Sequence, residues 1–417
     1  MENADHFWIS EHRQRRLDWA QGDALKLQKE YSRKGKFAPA WFLGSARAAQ
    51  KLKEKHPLGE QLLASTELAE MASRREVAQW RFSRLAPHLA NITGLQFPAS
   101  GAGLDTLHFL ELYPQFKGRT WAGDLNPLTT AIAKSNLAFV LGSDVGVCRY
   151  DALQPPFSSK GAFVFLDPAR RHEGERLERY QYEPDLDASL KELEKASLAQ
   201  IKCSPGETPE RLAAFAQRGW IWEWVQRGRD IVECFGTWQG DPSQREQVSG
   251  ESMHSLPVWT VTCLDGAGVW ISSYSAKLES LPFSQSQPLE IGQILILPKA
   301  VLHHSQLFAA WLKEYRLNQS EALGLCTGEH SLAPLCDSYR LIGIVDSAKH
   351  LKRQLADCGD SPLELRSLEH PMPKDWLEKI SPLLRQKGDP ALRKTLLITR
   401  RQGRLVGLLL ETVHVRV

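Results

Sequence analysis

No run of this sequence is apolar for the length that a membrane-crossing helix needs. No two of the seven cysteines (Cys148, Cys203, Cys234, Cys263, Cys326, Cys336 and Cys358) stand in a C-x-x-C pair, which argues against a zinc ribbon. The N-terminus is polar and charged, without the features of a secretory signal. A disulfide framework is therefore not expected, and a cytoplasmic protein is. Neither His172 nor the His303-His304 pair has a third ligand at metal-binding spacing, so no metal is expected. No repeat recurs with a fixed period. Net charge is also scarce, at +3, too little by itself to announce a nucleic-acid partner.

What is present is the material of a globular chain. Hydrophobic residues make up 42% of the 417, enough for real cores and for two or three domains. Arg and Lys gather between Arg13 and Lys55, with Trp19, Tyr31, Phe37 and Trp41 among them. Such a mixture can hold phosphates and stack on bases, and it equally describes a solvated helical face with buried aromatics. Residues 1–90 read as a helical region. Within it Glu67–Leu89 has helix formers throughout, with Leu68, Met71, Val77, Trp80 and Leu85 as core candidates.

From Ile92 short apolar runs alternate with helical stretches. Strands are expected at Gly94–Pro98, Thr120–Asp124, Val145–Tyr150, Ala162–Leu166 and Ala199–Cys203. Helices are expected at Leu104–Leu112, Leu128–Leu141, Leu186–Glu194 and Glu207–Gln217. Trp220–Val225 and Ile231–Trp238 flank the turn Arg227-Gly228-Arg229 and add an antiparallel edge. Residues 91–240 thus form an α/β domain with a mostly parallel sheet covered on both faces. Residues 241–290 read as a β extension or linker containing Val258–Cys263 and Val269–Tyr274. Residues 291–417 read as an α+β module. Its strands are Tyr339–Val345 and Leu363–Leu368, its helices Ala348–Ala356 and Lys374–Arg385, and Thr395–Thr399 with Leu405–Thr412 make a final hairpin.

In open α/β sheets ligands bind beyond the carboxyl ends of the strands, and candidate residues stand there in order. Ala99-Ser100-Gly101-Ala102-Gly103 follows the first strand, a turn that lets backbone N–H groups approach an anion. Asp124, followed by Leu125-Asn126-Pro127, ends the second strand, where a carboxylate can accept from two ribose hydroxyls. Asp151-Ala152-Leu153 follows the third, where a carboxylate can accept from an adenine amino group. Asp167-Pro168-Ala169-Arg170-Arg171 ends the fourth, beside the place of reaction. Any one of these three Asp residues alone reads as a helix cap or turn former; the glycine turn and the three acids in order do not. A dehydrogenase is disfavoured because no full G-x-G-x-x-G follows the first strand.

These stretches, with Gly101–Leu107, Lys202-Cys203-Ser204-Pro205-Gly206 and Leu297-Pro298-Lys299-Ala300, resemble class I S-adenosylmethionine (SAM)-dependent methyltransferases that bear a C-terminal THUMP-like domain. The resemblance implies a Rossmann-like methyltransferase sheet, SAM as cofactor and RNA as substrate. It implies cofactor contacts from Ala99, Gly101, Gly103, Asp105, Asp124, Asn126, Asp151 and Asp167. It implies a transfer site at Asp167, Pro168 and Arg170. The first strand departs from the pattern: Gln96-Phe97-Pro98 stands where an acid is common, and Asp105 is the candidate to take over part of that role. This departure keeps open a catalytically degenerate, RNA-binding protein as the alternative. The small net charge keeps open a methyltransferase for protein or a small molecule.

Ala169-Arg170 replaces the Pro-aromatic pair of amino-group methylases, leaving Tyr180 or Tyr182 as possible stacking rings. Cys203 reads either as a nucleophile toward a pyrimidine, with Lys202 favouring its thiolate, or as a small buried core residue. Arg170 and Arg171 read as phosphate contacts or as partners of Glu173, Glu175 and Glu178.

Overall fold

The computed structural model describes residues 48–412 except 143, 170, 173–174, 177–180, 241–257, 266, 268, 278–286, 292, 321–324, 329–334, 346–349, 351–352, 354–362, 369–393 and 402–403. The chain divides into two compact units. No described helix is long and apolar enough to cross a membrane.

The first unit opens with helices α1 (Thr66–Met71) and α2 (Arg75–Ser83). It continues with β1 (Gly94–Phe97), α3 (Leu104–Leu112), β2 (Thr120–Asp124), α4 (Pro127–Leu141), β3 (Gly146–Arg149) and β4 (Ala162–Leu166). Then come α5 (Leu186–Leu193), β5 (Leu198–Cys203), α6 (Pro209–Gln217), β6 (Ile221–Arg227) and β7 (Asp230–Trp238). Across the sheet these strands lie in the order β3-β2-β1-β4-β5-β7-β6. β1 to β5 run parallel, whereas β7 is antiparallel to β5. The dinucleotide-binding order is 3-2-1-4-5-6; here an antiparallel strand is slotted beside β5, as the paired apolar runs around Gly228 imply.

Central strands of a parallel sheet are buried on both faces and read as continuous apolar runs. β4, Ala-Phe-Val-Phe-Leu, is buried at every position. Phe82 of α2 meets Phe97, Phe109, Phe163 and Phe165 with ring centroids 5.1–6.4 Å apart, mostly edge to face. Burying one such ring contributes about 1.5–3 kcal/mol. The odd residue of the first strand is explained here: Phe97 belongs to this cluster and does not line the cavity described below. Its neighbour Gln96 donates through Nε2 to the Ser158 carbonyl at 2.8 Å.

The helix-forming segment Glu67–Leu89 folds as two helices and a short 3-10 turn. Ala72 is extended (φ −57°, ψ 137°), which separates α1 from α2. Lys55 Nζ donates to the Glu70 and Ala72 carbonyls, and Lys202 Nζ to the Met71 carbonyl. Ammonium groups at the end of α1 thus satisfy carbonyls that a continuing helix would have used. Of the five core candidates Val77 and Leu85 are buried, whereas Leu68, Met71 and Trp80 are half-buried.

Most residues of β8 (Val258–Leu264) and β9 (Trp270–Lys277) fall in the second unit, and the two strands are tied by Thr260–Ser275 and Thr262–Ser273 hydroxyl contacts of 2.9 and 2.7 Å. The second unit's sheet is built on β10 (Ile294–Pro298), β11 (Cys336–Val345), β12 (Leu363–Ser367), β13 (Lys394–Arg401) and β14 (Arg404–Thr412). The order is β10-β11-β14-β13-β12, with two short strands, Cys326–Thr327 and Asn318–Gln319, outside β10. β13 and β14 form the expected hairpin, from Lys394 opposite Glu411 to Arg401 opposite Arg404. Between β10 and the hairpin lie helices α7 (Ala300–His304) and α8 (Phe308–Glu314), which the sequence did not announce. The expected helix Lys374–Arg385 lies outside the described residues, as does most of Ala348–Ala356.

Candidate active site at the strand ends

A cavity of about 900 Å³ opens at the carboxyl ends of β1 to β4. That is the upper part of the usual range for small-molecule sites. The turn after β1 forms one wall. Ala99 (φ +54°), Gly101 (φ +54°) and Gly103 (φ +84°) are all left-handed. Glycine supplies this conformation without strain, so the glycines here are backbone requirements. The turn is held by Ser100 N–H donating to the Gly123 carbonyl at 2.7 Å and Gly103 N–H to the Ser100 carbonyl at 2.8 Å.

Asp124, at the end of β2, bridges two turns. Its Oδ2 accepts from Gly101 N–H at 3.3 Å and its Oδ1 from Asn126 N–H at 3.0 Å. Burial pushes the Asp124 carboxyl above its ordinary 3.8, against these backbone donors. Asn126 caps α4, its side-chain oxygen accepting from Leu128 and Thr129 N–H. Leu125 and Leu128 are exposed apolar residues on the cavity wall. Gly123 makes β2 narrow enough to sit beside β3, since a Cβ there would lie 2.1 Å from Tyr150 Cε1 and 2.5 Å from the Cys148 carbonyl oxygen. Gly123→Ala is accordingly expected to destabilise the protein by about 1–3 kcal/mol, read by denaturant unfolding. Wild-type stability would mean that Tyr150 moves aside freely.

Asp151 lies after β3, with Oδ1 accepting from Leu153 N–H at 2.9 Å. Asp167, Ala169, Glu183, Pro184 and Asp185 line the wall beyond β4. Reciprocal Ala169–Glu183 backbone bonds of 2.8 and 2.9 Å hold the last three in place. Tyr182 is buried; its hydroxyl donates to Glu207 Oε1 at 2.6 Å and accepts from Ser204 N–H at 2.9 Å. It is therefore a strut of this wall and not a stacking ring. Tyr180 and Arg170 lie outside the described residues, as does the side chain of Arg171.

The cavity brings together seven of the eight expected cofactor residues: Ala99, Gly101, Asp105, Asp124, Asn126, Asp151 and Asp167. Gly103 serves the turn from behind it. Pro168 is buried and not in the lining. Asp105 is in the lining, yet its charge is already engaged by Arg81. Burial raises the Asp105 carboxyl, but Arg81, with Lys202 and His108 behind it, holds it below its ordinary value. Cys203 is a correction. It is buried opposite Cys234 on β7 and does not line the cavity. Alternation along β5 sends it to the face opposite Lys202, whose ammonium bonds Asp167 instead. Cys203→Ala is therefore expected to leave any reaction at this cavity within about twofold of wild type, whereas total loss together with a lost covalent adduct would restore the nucleophile.

Two features had no sequence signal. Ser65, Glu67, Leu68, Met71 and Ala72, before, within and just after α1, line the cavity. Buried Asn136 ties that region to the glycine turn, donating to the Leu63 and Ala102 carbonyls (2.8 and 2.9 Å) and accepting from Leu63 N–H (2.8 Å). The second feature is His56, His108 and Glu111, whose ligand atoms lie within 4.8 Å of one another. His56 Nδ1 accepts from Leu58 N–H at 3.0 Å, which leaves its proton on Nε2, facing Glu111 Oε1 at 3.2 Å. A protonated ring nitrogen has no lone pair for a cation. Arg75 Nε occupies the other carboxylate oxygen at 2.8 Å. Glu111 of α3 is thus held by the His56 N–H and by Arg75, beside His108, whose pKa burial lowers.

No family model matches the chain, and no curated protein matches it. Among solved structures the chain is similar to a putative methyltransferase from Porphyromonas gingivalis W83. The two share 17% identity over 97% of this chain and 98% of that one, with a TM-score of 0.65. More distant likenesses include a SAM-dependent methyltransferase from Aquifex aeolicus (13% identity, 41% of this chain, 95% of that one, TM-score 0.28). Another is a putative class I SAM-dependent methyltransferase from Listeria monocytogenes (10% identity, 46% and 64%, TM-score 0.33). Strand order and the full-length likeness give the chain a Rossmann-like methyltransferase fold.

Proposed function

We propose that this chain is a SAM-dependent methyltransferase that acts on RNA. The observation that carries the cofactor reading is the single cavity around which the glycine turn, Asp124, Asp151 and Asp167 follow one another at the ends of β1 to β4. The residues fit the group. Asp124 would hold the ribose hydroxyls, Asp151 the adenine amino group, and the amides of the turn the methionine carboxylate. Leu125 and Leu128 offer apolar surface beside the base. SAM supplies a methyl group already activated on a sulfonium. The protein must therefore align an acceptor with that methyl and exclude water. Asp167, with Ala169 and the Glu183–Asp185 segment, stands where an acceptor's donor hydrogens would be fixed.

RNA is favoured by the resemblance to methyltransferases with a THUMP-like domain and by the basic, aromatic-containing stretch Arg13–Lys55. The degenerate alternative rested on the missing first-strand acid. Phe97 is a core residue, so its identity does not impair the cavity. The test is transfer of labelled methyl from SAM to RNA from a strain lacking the gene, with protein and small-molecule fractions assayed in parallel. Label in RNA supports the reading; label confined to another fraction removes RNA from it.

Cofactor affinity should also depend on pH. Only the ionised Asp124 accepts from both ribose hydroxyls, and burial raises its titration. Affinity is expected to be level at neutral pH and to fall as pH drops through that raised range, starting above pH 3.8. An affinity that rises on acidification would contradict this role.

A further inference from the structure

Lys202 is a buried lysine at the end of β5, and its ammonium is saturated: it donates to Asp167 Oδ2, to the Met71 carbonyl at 3.0 Å and to Ser73 Oγ at 3.3 Å. Three donors meet three acceptors, which is the full capacity of the group. Beyond Ser73 the contacts continue. Ser73 Oγ lies 3.4 Å from Glu233 Oε2, Glu233 pairs with Arg81, and Arg81 pairs with Asp105. The Arg81 guanidinium also lies 4.5 Å from the centre of the Phe165 ring, on the strand that delivers Asp167. The result is one buried chain of alternating charge, Asp167–Lys202–Ser73–Glu233–Arg81–Asp105. Both of its ends, Asp167 and Asp105, line the cavity. They come from different walls, the acceptor turn after β4 and the first turn of α3 behind the glycine turn.

We propose that Lys202 is a positioning residue of the transfer site, holding the Asp167 carboxylate in the cavity wall and coupling it to α1 and to Asp105. This rests on the methyltransferase reading above. A surface lysine at that place would not have this effect, because water would screen it. A buried one acts on Asp167 with little solvent screening. Removing the ammonium takes the close cation from a half-buried carboxylate, which favours its protonated form or a turn away from the cavity. Removing the carboxylate charge leaves a buried ammonium with the same problem. Removing both leaves neither. Lys55 faces the same carboxylates, and burial beside Lys202 and Arg74 lowers it to about 8, so its charge is the weaker substitute. Arg81 and Glu233 complete the charged groups around Lys202, and His108 acts on Asp105.

The test is a double-mutant cycle on the full chain, reading dissociation constants of SAM and S-adenosylhomocysteine by calorimetry at pH 7 for wild type, K202M, K202R, D167N and K202M/D167N. K202M is expected to weaken SAM binding roughly tenfold, and D167N by a similar factor. The double variant should be no weaker than the worse single one, and K202R should recover most of the loss. Circular dichroism melts identify any variant that has lost its fold, in which case the pair K202R and D167E replaces it in the cycle. Effects that multiply in the double variant, or a K202M protein with wild-type affinity, would overturn the positioning role while leaving the cofactor reading intact. Wild-type protein that binds neither ligand would defeat the cofactor reading itself, a result distinct from either.

Discussion

Asp124→Ala should lower SAM affinity by a factor between about thirty and more than a hundred, while the fold survives. The carboxylate is expected to accept from both ribose hydroxyls, and hydrogen bonds to a charged acceptor contribute about 1.5–3 kcal/mol each. A net loss of about 2–3 kcal/mol gives that factor. Two further contacts disappear with the side chain, those from Gly101 and Asn126 N–H. They link the glycine turn to the start of α4, so some preorganisation is lost as well. Because burial already strains the Asp124 charge, the unbound protein does not lose a strongly stabilising anion, and thermal stability should change little. Calorimetry with SAM checks the affinity. Unchanged binding would take Asp124 out of the site and leave it a turn-forming residue.

The second large effect concerns stability. Arg81→Met removes a fully buried guanidinium that pairs with both Asp105 and Glu233. Breaking a buried pair by deleting one partner costs about 3–5 kcal/mol, because the other charge is left in the interior. Here two carboxylates are stranded, so the loss should fall in that range or above. The pH dependence follows from the Asp105 titration, which Arg81 holds below its ordinary 3.8 despite burial. A group lowered on folding contributes stability above its unfolded value and loses it as pH falls through the folded one. The gap between wild type and Arg81→Met should therefore be widest near neutral pH and should narrow below pH 3.8. Urea unfolding at pH 7 and pH 3 reads both quantities. A gap under about 1 kcal/mol at pH 7 would show that the two carboxylates find other partners.

Much of this fold is legible in the sequence because the first unit's sheet is written in continuous apolar runs. Ala162–Leu166 and Thr120–Asp124 have the same bounds in sequence and structure, and so does α3. Asn126-Pro127 marks the start of α4 through a capping side chain and a proline at the first helical position. The strand-end carboxylates are legible for the same reason: once the strands are placed, their ends are placed. What the sequence hides depends on long-range pairing. Nothing near Ala72-Ser73-Arg74 breaks a helix locally; the break serves Lys55 and Lys202, far off in the chain. Asp105 in the first turn of α3 looks like a spare acid for the cofactor until Arg81, 24 residues earlier, is seen to hold it. Lys202 and Cys203 are neighbours in sequence and point to opposite faces of β5, so the proximity that suggested an activated thiolate does not exist in space.

The most direct test of the cofactor site is a crystal structure of the protein grown with S-adenosylhomocysteine. The expected density has the ribose hydroxyls on Asp124, the adenine amino group at Asp151 and the amino-acid carboxylate on the turn Ala99–Gly103. Density elsewhere, or a cavity that stays empty at saturating ligand, would contradict the assignment of this cavity and with it the proposed methyl transfer.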